Sequence, residues 1–130
     1  MKKIIVLGAL VVKEERILLA RRKPEKAMAG KWEFPGGKLK DDETEQECIK
    51  REIKEEMNVD IEVLKYFDTS VYIYPYKTIE LRCYYAKLLN EDLKLSDHSE
   101  IVWVDRGSLF KYDLAPADIL IAQKIGEGKV

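Results

Sequence analysis

Residues 44–57 constrain the chain most tightly, because they read as one helix with both ends marked. Ile49, Ile53 and Met57 fall on a single stripe at about 100° per residue, and that stripe should face a core. Thr44 with Glu47 three residues later fits a capping box, and Asn58 suits the left-handed conformation that often closes a helix. Lys50, Lys54 and Glu47 fall opposite, toward solvent. Glu52, Glu55 and Glu56 gather on a third face, beside the apolar stripe. Like charges three and four residues apart oppose a helix by a few tenths of a kcal/mol per pair, so a cation should relieve them. Hard divalent cations prefer oxygen ligands, and Mg²⁺ is commonly held by a few carboxylates together with substrate phosphates. A solvated Glu- and Lys-rich surface helix is the plainer reading. Two features count against it. The acidic face borders the core stripe, and Gly36 and Gly37 just upstream let backbone approach a metal or phosphate closely.

The rest of the chain supplies strands around this helix. Residues 3–13 and 16–20 are apolar and read as a hairpin turning at Glu14 and Glu15. Residues 21–30 form a basic loop containing Pro and Gly. A short apolar piece, Trp32, Glu33 and Phe34, leads into Pro35 and the two glycines. Residues 59–74 and 78–89 read as two strands about a Pro-Tyr-Lys turn, and residues 101–104 as another. Pro116 suits the first turn of a last helix running to about Ile125. Hairpin, helix, strands and helix, in that order, predict an α+β fold: a mixed β-sheet flanked by helices. At 130 residues, the span 1–130 is expected to be a single domain with one sizeable core.

Charge and cysteine usage narrow the function classes. A net charge of −1 offers no basic field for a nucleic-acid polymer or an anionic membrane. No apolar run approaches the ~20 residues of a membrane-spanning helix. The opening MKKIIVLGALVV is leader-like, but it breaks at Lys13, Glu14, Glu15 and Arg16 without a cleavage site and reads as strand. Cys48 and Cys83 lack metal-type spacing and make no disulfide framework, which suits a reducing, cytoplasmic setting. No P-loop pattern is present.

Gly37, five residues, Glu43, seven residues, then Arg51, Glu52, Ile53, Lys54, Glu55, Glu56, Met57, Asn58 and Val59 resembles the Nudix box. That box reads G-x5-E-x7-R-E-U-x-E-E-x-G-U, with U bulky and apolar. Asn58 stands where the family has Gly. Asn tolerates positive φ better than most residues, so the helix end should survive. Weaker similarity to MutT-type members runs through ARR (20–22), KWEFPGGK (31–38) and LAPAD (114–118). The resemblance implies the Nudix α/β/α sandwich and a loop–helix metal site that cleaves a diphosphate linkage. It implies Glu52, Glu55 and Glu56 as ligands of Mg²⁺, with Mn²⁺ as its substitute, and the Gly36 carbonyl completing the set. Glu55 and Glu56 would also serve catalysis, Glu56 foremost. Arg51 and Glu43 are expected to pair and hold the loop against the helix, since a planar guanidinium meets a carboxylate through two bonds. Asp97, ahead of the strand carrying Trp103, is expected as a further metal ligand or water-activating base. Glu100 is the neighbouring candidate, and many relatives carry the longer Glu at the Asp97 position. His98, the only histidine, is by residue type a candidate general base, although a lone loop histidine is more often bland.

Substrate contacts are expected outside the box. By similarity, Arg22 and Lys38 meet phosphates, with Arg21 a weaker candidate and ordinary surface charge the competing reading. Tyr74 corresponds to an aromatic that packs on the base, with Lys77 a polar contact nearby. Asp118 occupies the base-reading place, where a carboxylate would accept from an exocyclic amino group; it also complements a helix dipole. The implied activity is Mg-dependent hydrolysis of a nucleoside triphosphate to NMP and pyrophosphate. The substrate would be a (d)NTP, including oxidised or modified ones of the 8-oxo-dGTP or (d)CTP type. The alternatives are another nucleoside diphosphate derivative, such as a nucleotide sugar or ADP-ribose, and a non-catalytic nucleotide sensor. The intact Glu52, Glu55 and Glu56 disfavour the sensor. No nucleic-acid polymer or membrane partner is expected, and the chain should be a monomer or homodimer.

Overall fold

The computed structural model describes residues 2–128. Seven strands form one mixed sheet: β1 (Lys2–Lys13), β2 (Arg16–Arg22), β3 (Trp32–Glu33), β4 (Gly36–Lys38), β5 (Ile61–Ile73), β6 (Lys77–Leu88) and β7 (His98–Asp105). Two helices, α1 (Glu45–Met57) and α2 (Pro116–Gly126), complete it, with a 3-10 turn at Arg106–Lys111. This is the α/β/α sandwich expected from the sequence. The expected strands start and end within two residues of the pattern-based expectation except β7, which begins at His98, three residues before the expected 101. No helix among the described residues is long and apolar enough to cross a membrane.

β1 is the central strand, and its composition shows why. Its residues 7–11 are buried without a break, as a strand covered on both faces requires. Leu7, Ala9 and Val11 face α1, packing with Ile49, Ile53 and Met57. Leu10 faces the other layer, where Ile121 and Ile125 of α2 lie with Phe34 and Leu81. Each fully buried Ile or Leu side chain contributes about 1.5–3 kcal/mol, so the two stripes fix both helices to the sheet. The hairpin turn at Glu14 and Glu15 has φ of 51° and 66°, the two-residue left-handed geometry that matches strand twist. The capping box forms as expected, with Glu47 N–H donating to Thr44 Oγ1 and Thr44 N–H to Glu47 Oε1. Asn58 closes α1 at φ 58°.

The sheet forks along β1. Val6, Leu7 and Gly8 pair with β4, whereas Val12 and Lys13 pair with β2. β2 carries β3 on one side and β7 on the other. β1 runs parallel to β6, and β6 pairs antiparallel with β5. The fork leaves a hollow between β2, β4 and the second half of α1, and that hollow holds the chemistry.

Candidate active site

A cleft of about 630 Å³ lies in the fork. β2 contributes Arg22, β3 contributes Glu33, and the glycine turn contributes Gly36, Gly37 and Lys38. Glu52 and Glu56 enter from α1, Asp97 and His98 from the head of β7, and Asp118 from the first turn of α2. A recess of about 220 Å³ adjoins it, sharing Arg22, Glu33 and Asp118 and adding Tyr74 and Lys77. A cavity of about 670 Å³ at the far end of β1, beside Glu14, Tyr85 and Arg106, contains none of the residues singled out by motif.

Glu56 lies at the edge of the apolar stripe of α1, one residue before Met57, and is only 7% exposed. Its Oε1 is buried without a hydrogen-bond partner. Burial pushes its carboxyl up to about 9, and the negative charges of Glu33, Glu52 and Asp97 push the same way. A cation would relieve all four effects at once. Glu52 packs against the glycine turn so closely that a Cβ on Gly37 would sit 2.3 Å from its carboxyl carbon. A Cβ on Gly36 would strike the Leu7 carbonyl oxygen at 1.9 Å, so both glycines are needed for different reasons. No group of three His, Cys, Asp or Glu side chains among the described residues already encloses a metal position. The donor set nonetheless fits a hard cation: Glu56 presents an unpartnered oxygen, with Glu52, Asp97 and the Gly36 backbone lining the same cleft.

Glu55 stands apart from that set. Its side chain is 55% exposed and lies on Arg51 Nη1 at 3.3 Å, outside the cleft lining. Arg51 is a hub. Nε donates to Glu43 Oε2 at 3.0 Å and Nη2 to Glu43 Oε1 at 2.8 Å. Nη1 reaches Glu52 Oε2 at 3.0 Å, and Nη2 also donates to the Lys38 carbonyl at 3.1 Å. The two-pronged bond from Arg51, followed by the Lys40 N–H, holds the Glu43 carboxyl down at about 2. The guanidinium in turn is held more firmly charged, chiefly by Glu43. Glu43 and Arg51 therefore tie the loop, the glycine turn and α1 together without lining the cleft. Cys48 beneath them is pushed up to about 12 by burial and by Glu43, which keeps its thiol inert.

Strand alternation separates the two adjacent arginines. Arg22 is half-buried in the cleft and donates to Glu33 Oε1 at 3.0 Å. Arg21 points the other way, donating to Glu100 at 2.9 Å and to the Gly30 carbonyl, and neither Arg21 nor Glu100 lines the cleft. Lys38 is exposed at the rim. Asp97 is about half exposed and lies 3.7 Å from Lys26. In the recess, the Lys77 ammonium lies 5.8 Å from the centre of the Tyr74 ring, which meets Tyr72 edge-on at 4.7 Å. Asp118 is buried, not exposed at the mouth, and accepts the Phe34 N–H at 2.8 Å. Burial, then the Glu33 charge, raises its carboxyl well above the usual range, against the pull of Phe34 N–H and Arg22.

Two cleft residues were undervalued in the sequence. Glu33 joins Arg22 to His98, whose Nε2 lies 2.9 Å from Glu33 Oε2. The available signal was one charged residue between Trp32 and Phe34 in an apolar strand. His98 is 3% exposed, not a loop residue on the surface.

A family model described as the NUDIX domain matches residues 1–124. The chain is 33% identical over 119 residues to the CTP pyrophosphohydrolase of Escherichia coli, covering 92% of this chain and 88% of that one. It is 29% identical over 129 residues to the 8-oxo-dGTP diphosphatase of Haemophilus influenzae, covering 95% and 93%. The crystal structure of the MutT protein from Methanosarcina mazei superposes with a TM-score of 0.87 at 26% identity, covering 98% and 95%. The NUDIX match spans both the glycine turn and the glutamate helix, and with a whole-chain relative named as a pyrophosphohydrolase it shows that this chain belongs to the Nudix hydrolase family.

Proposed function

We propose that the chain is a MutT-type nucleoside triphosphate pyrophosphohydrolase that uses Mg²⁺, or Mn²⁺ in its place, and releases NMP and pyrophosphate. One observation carries this reading. Two adjoining hollows share Arg22, Glu33 and Asp118; one adds the carboxylates Glu52, Glu56 and Asp97, and the other, a base-sized recess, adds Tyr74 and Lys77. Arg22 lines both parts, where a phosphate chain joining base to metal would pass. The relatives named for CTP and for 8-oxo-dGTP support a nucleotide with one of those bases.

Nudix hydrolases generally use divalent cations. The cation here would be held by Glu52, Glu56, Asp97 and the Gly36 carbonyl, and would cancel phosphate charge and acidify the attacking water. The protein groups do the rest. Arg22 and Lys38 meet outer phosphate oxygens. Glu56 and Asp97 offer carboxylates that can take a proton from water inside the cleft. Arg51 and Glu43 keep the Lys38 carbonyl, and with it the glycine turn, in register with α1. Glu55, exposed beside Arg51, would be the further carboxylate available to that cation. Tyr74 stacks on the base, a contact worth about 1–3 kcal/mol.

The test is a panel of CTP, dCTP, 8-oxo-dGTP, the common dNTPs, ADP-ribose and a nucleotide sugar with Mg²⁺, reading pyrophosphate against orthophosphate. Pyrophosphate release from a triphosphate is expected. Turnover confined to ADP-ribose or the sugar, or orthophosphate as product, would overturn the assignment.

A further inference from the structure

The ladder between β2 and β7 contains an irregularity that decides which way His98 points. Pairing runs from Arg16↔Asp105 to Arg21↔Glu100, then skips Ser99 and resumes at Arg22↔His98. Strict alternation from Glu100 would send His98 to the face on which Arg21 and Glu100 meet in solvent. The extra residue returns it to the face of Arg22 instead. Glu33, opposite Ala20 on the other edge of β2, shares that face by ordinary alternation. Three side chains from three strands therefore converge, with Glu33 accepting from Arg22 Nη1 at 3.0 Å and from His98 Nε2 at 2.9 Å. β-Bulges are used beside active sites to re-aim a side chain in this way.

Asp97 is the residue directly before His98. Its own side chain has only a 3.7 Å ion pair with Lys26 to hold it, and it is about half exposed. The peptide that carries Asp97 into the cleft is held on both sides: Ser96 N–H donates to the Glu56 carbonyl at 2.9 Å on one, and the buried His98 imidazole anchors it on the other. Because Glu33 presents a carboxylate oxygen, Nε2 carries the proton and donates.

We propose that His98 is a positioning residue of the hydrolytic site: through its bond to Glu33 it fixes the head of β7 so that Asp97 stands in the cleft beside Glu56. This rests on reading the cleft as the site of hydrolysis. A histidine that merely filled space would need neither the bulge nor the partner on β3. Residues that orient a ligand carboxylate or imidazole from behind commonly alter metal affinity or activity by about 10–100-fold when lost.

The test compares His98→Gln, whose amide reaches the Nε2 position, with His98→Asn, whose amide reaches only the Nδ1 position. Each is assayed for kcat and KM on the best nucleotide of the panel, for Mn²⁺ binding by the protein alone, and for Tm. His98→Asn should lower kcat about tenfold or more, weaken Mn²⁺ binding, and change KM less than about threefold. His98→Gln should recover most of both losses at a similar Tm. His98→Ala extends the series, and if it fails to fold, the Asn and Gln pair still decides. Equal losses in Asn and Gln, or losses that follow Tm, make His98 a packing residue and overturn the proposal. Glu56→Gln serves as the control. If it retains turnover, the hydrolytic reading itself fails. If it is inactive while His98→Asn matches wild type, only the role of His98 fails.

Discussion

The Glu56 carboxyl binds its proton with a pKa of about 9, against 4.5 for the free side chain, because burial penalises the ion and Glu33, Glu52 and Asp97 repel it. That shift is a statement about stability. The folded state holds the proton more tightly, so the contribution is whole below 4.5 and drains away as pH rises toward 9. At pH 7 about two and a half units have been crossed, and at about 1.4 kcal/mol each the loss has a ceiling of about 3.5 kcal/mol. Glutamine keeps the shape and does not titrate. Glu56→Gln should therefore stabilise the protein in chelator near neutral pH while removing the carboxylate proposed as the principal cation ligand. For a chain of this size the gain is roughly 5–15 °C in Tm. The assay is thermal unfolding of both proteins in chelator at about pH 5 and about pH 8, beside turnover in Mg²⁺. The Tm difference should nearly vanish at the lower pH and grow at the higher. Added Mg²⁺ should raise Tm for the wild type and much less for the variant, because a ligand stabilises only the state that binds it. A pH-independent difference, or a variant less stable than wild type at pH 8, would refute the account of Glu56 as a buried, uncompensated acid.

Three further substitutions probe the loop and helix. Gly37→Ala should fold normally, because the atoms nearest its Cβ are the flexible end of Glu52, yet turnover should drop at least about tenfold as that carboxylate is displaced; unchanged kcat would remove Glu52 from the site. Arg51→Lys keeps the charge and loses the two-pronged bond to Glu43. Near pH 7 its kcat should fall and its Tm should fall modestly with the loss of the pair, whereas a lowered Tm with unchanged kcat would mean that Arg51 serves the fold. The low Glu43 pKa adds a pH test: stability from this pair is present above about 4.5 and lost as pH falls toward 2, so Arg51→Lys should flatten that acid limb, measured by Tm between about pH 3 and pH 6. Asn58→Gly should be neutral or stabilising by up to about 1 kcal/mol in a denaturant melt, since φ is 58° there, and a clear loss would show that the side chain does more than close the helix.

What could be read along the chain was what local chemistry decides. The capping box, the 49–53–57 stripe and the left-handed Asn58 are all encoded within one helix, and α1 follows them. The separation of Arg21 from Arg22, and of Glu55 from Glu56, needed the neighbours. Residues one apart on β2 face opposite sides, but which side holds the cleft depends on β3 and β7. Glu55 and Glu56 lie one step apart on the wheel, and the sheet beneath α1 buries only the second. His98 was out of reach for the same reason, because its direction is set by a bulge against a strand some 80 residues away in sequence. The parallel pairing of β1 with β6 likewise has no local signature.

Asp118 is where burial changes the chemistry expected from the residue type. An exposed aspartate would be an acceptor only. This one is fully enclosed, accepts the Phe34 N–H at Oδ1, and has its pKa raised well above the usual range, first by burial and then by Glu33. A neutral carboxyl has both a donor and an acceptor, and so does an asparagine amide. Asp118→Asn should therefore retain most of kcat/KM on the preferred nucleotide, whereas Asp118→Ala should lose the equivalent of about 1–3 kcal/mol of discrimination for that base against the others. If the carboxylate is ionised when the base is bound, Asn will fail as badly as Ala on a base that presents an amino group. If Asp118 serves only to hold Phe34 and the first turn of α2, both variants will depress every nucleotide in the panel by the same factor and lower Tm together. That uniform response would remove Asp118 from base recognition and leave the carboxylates of α1 untouched, since the two adjoining hollows are assayed by different steps: the base recess by the spread of kcat/KM among nucleotides, the metal cleft by kcat in Mg²⁺.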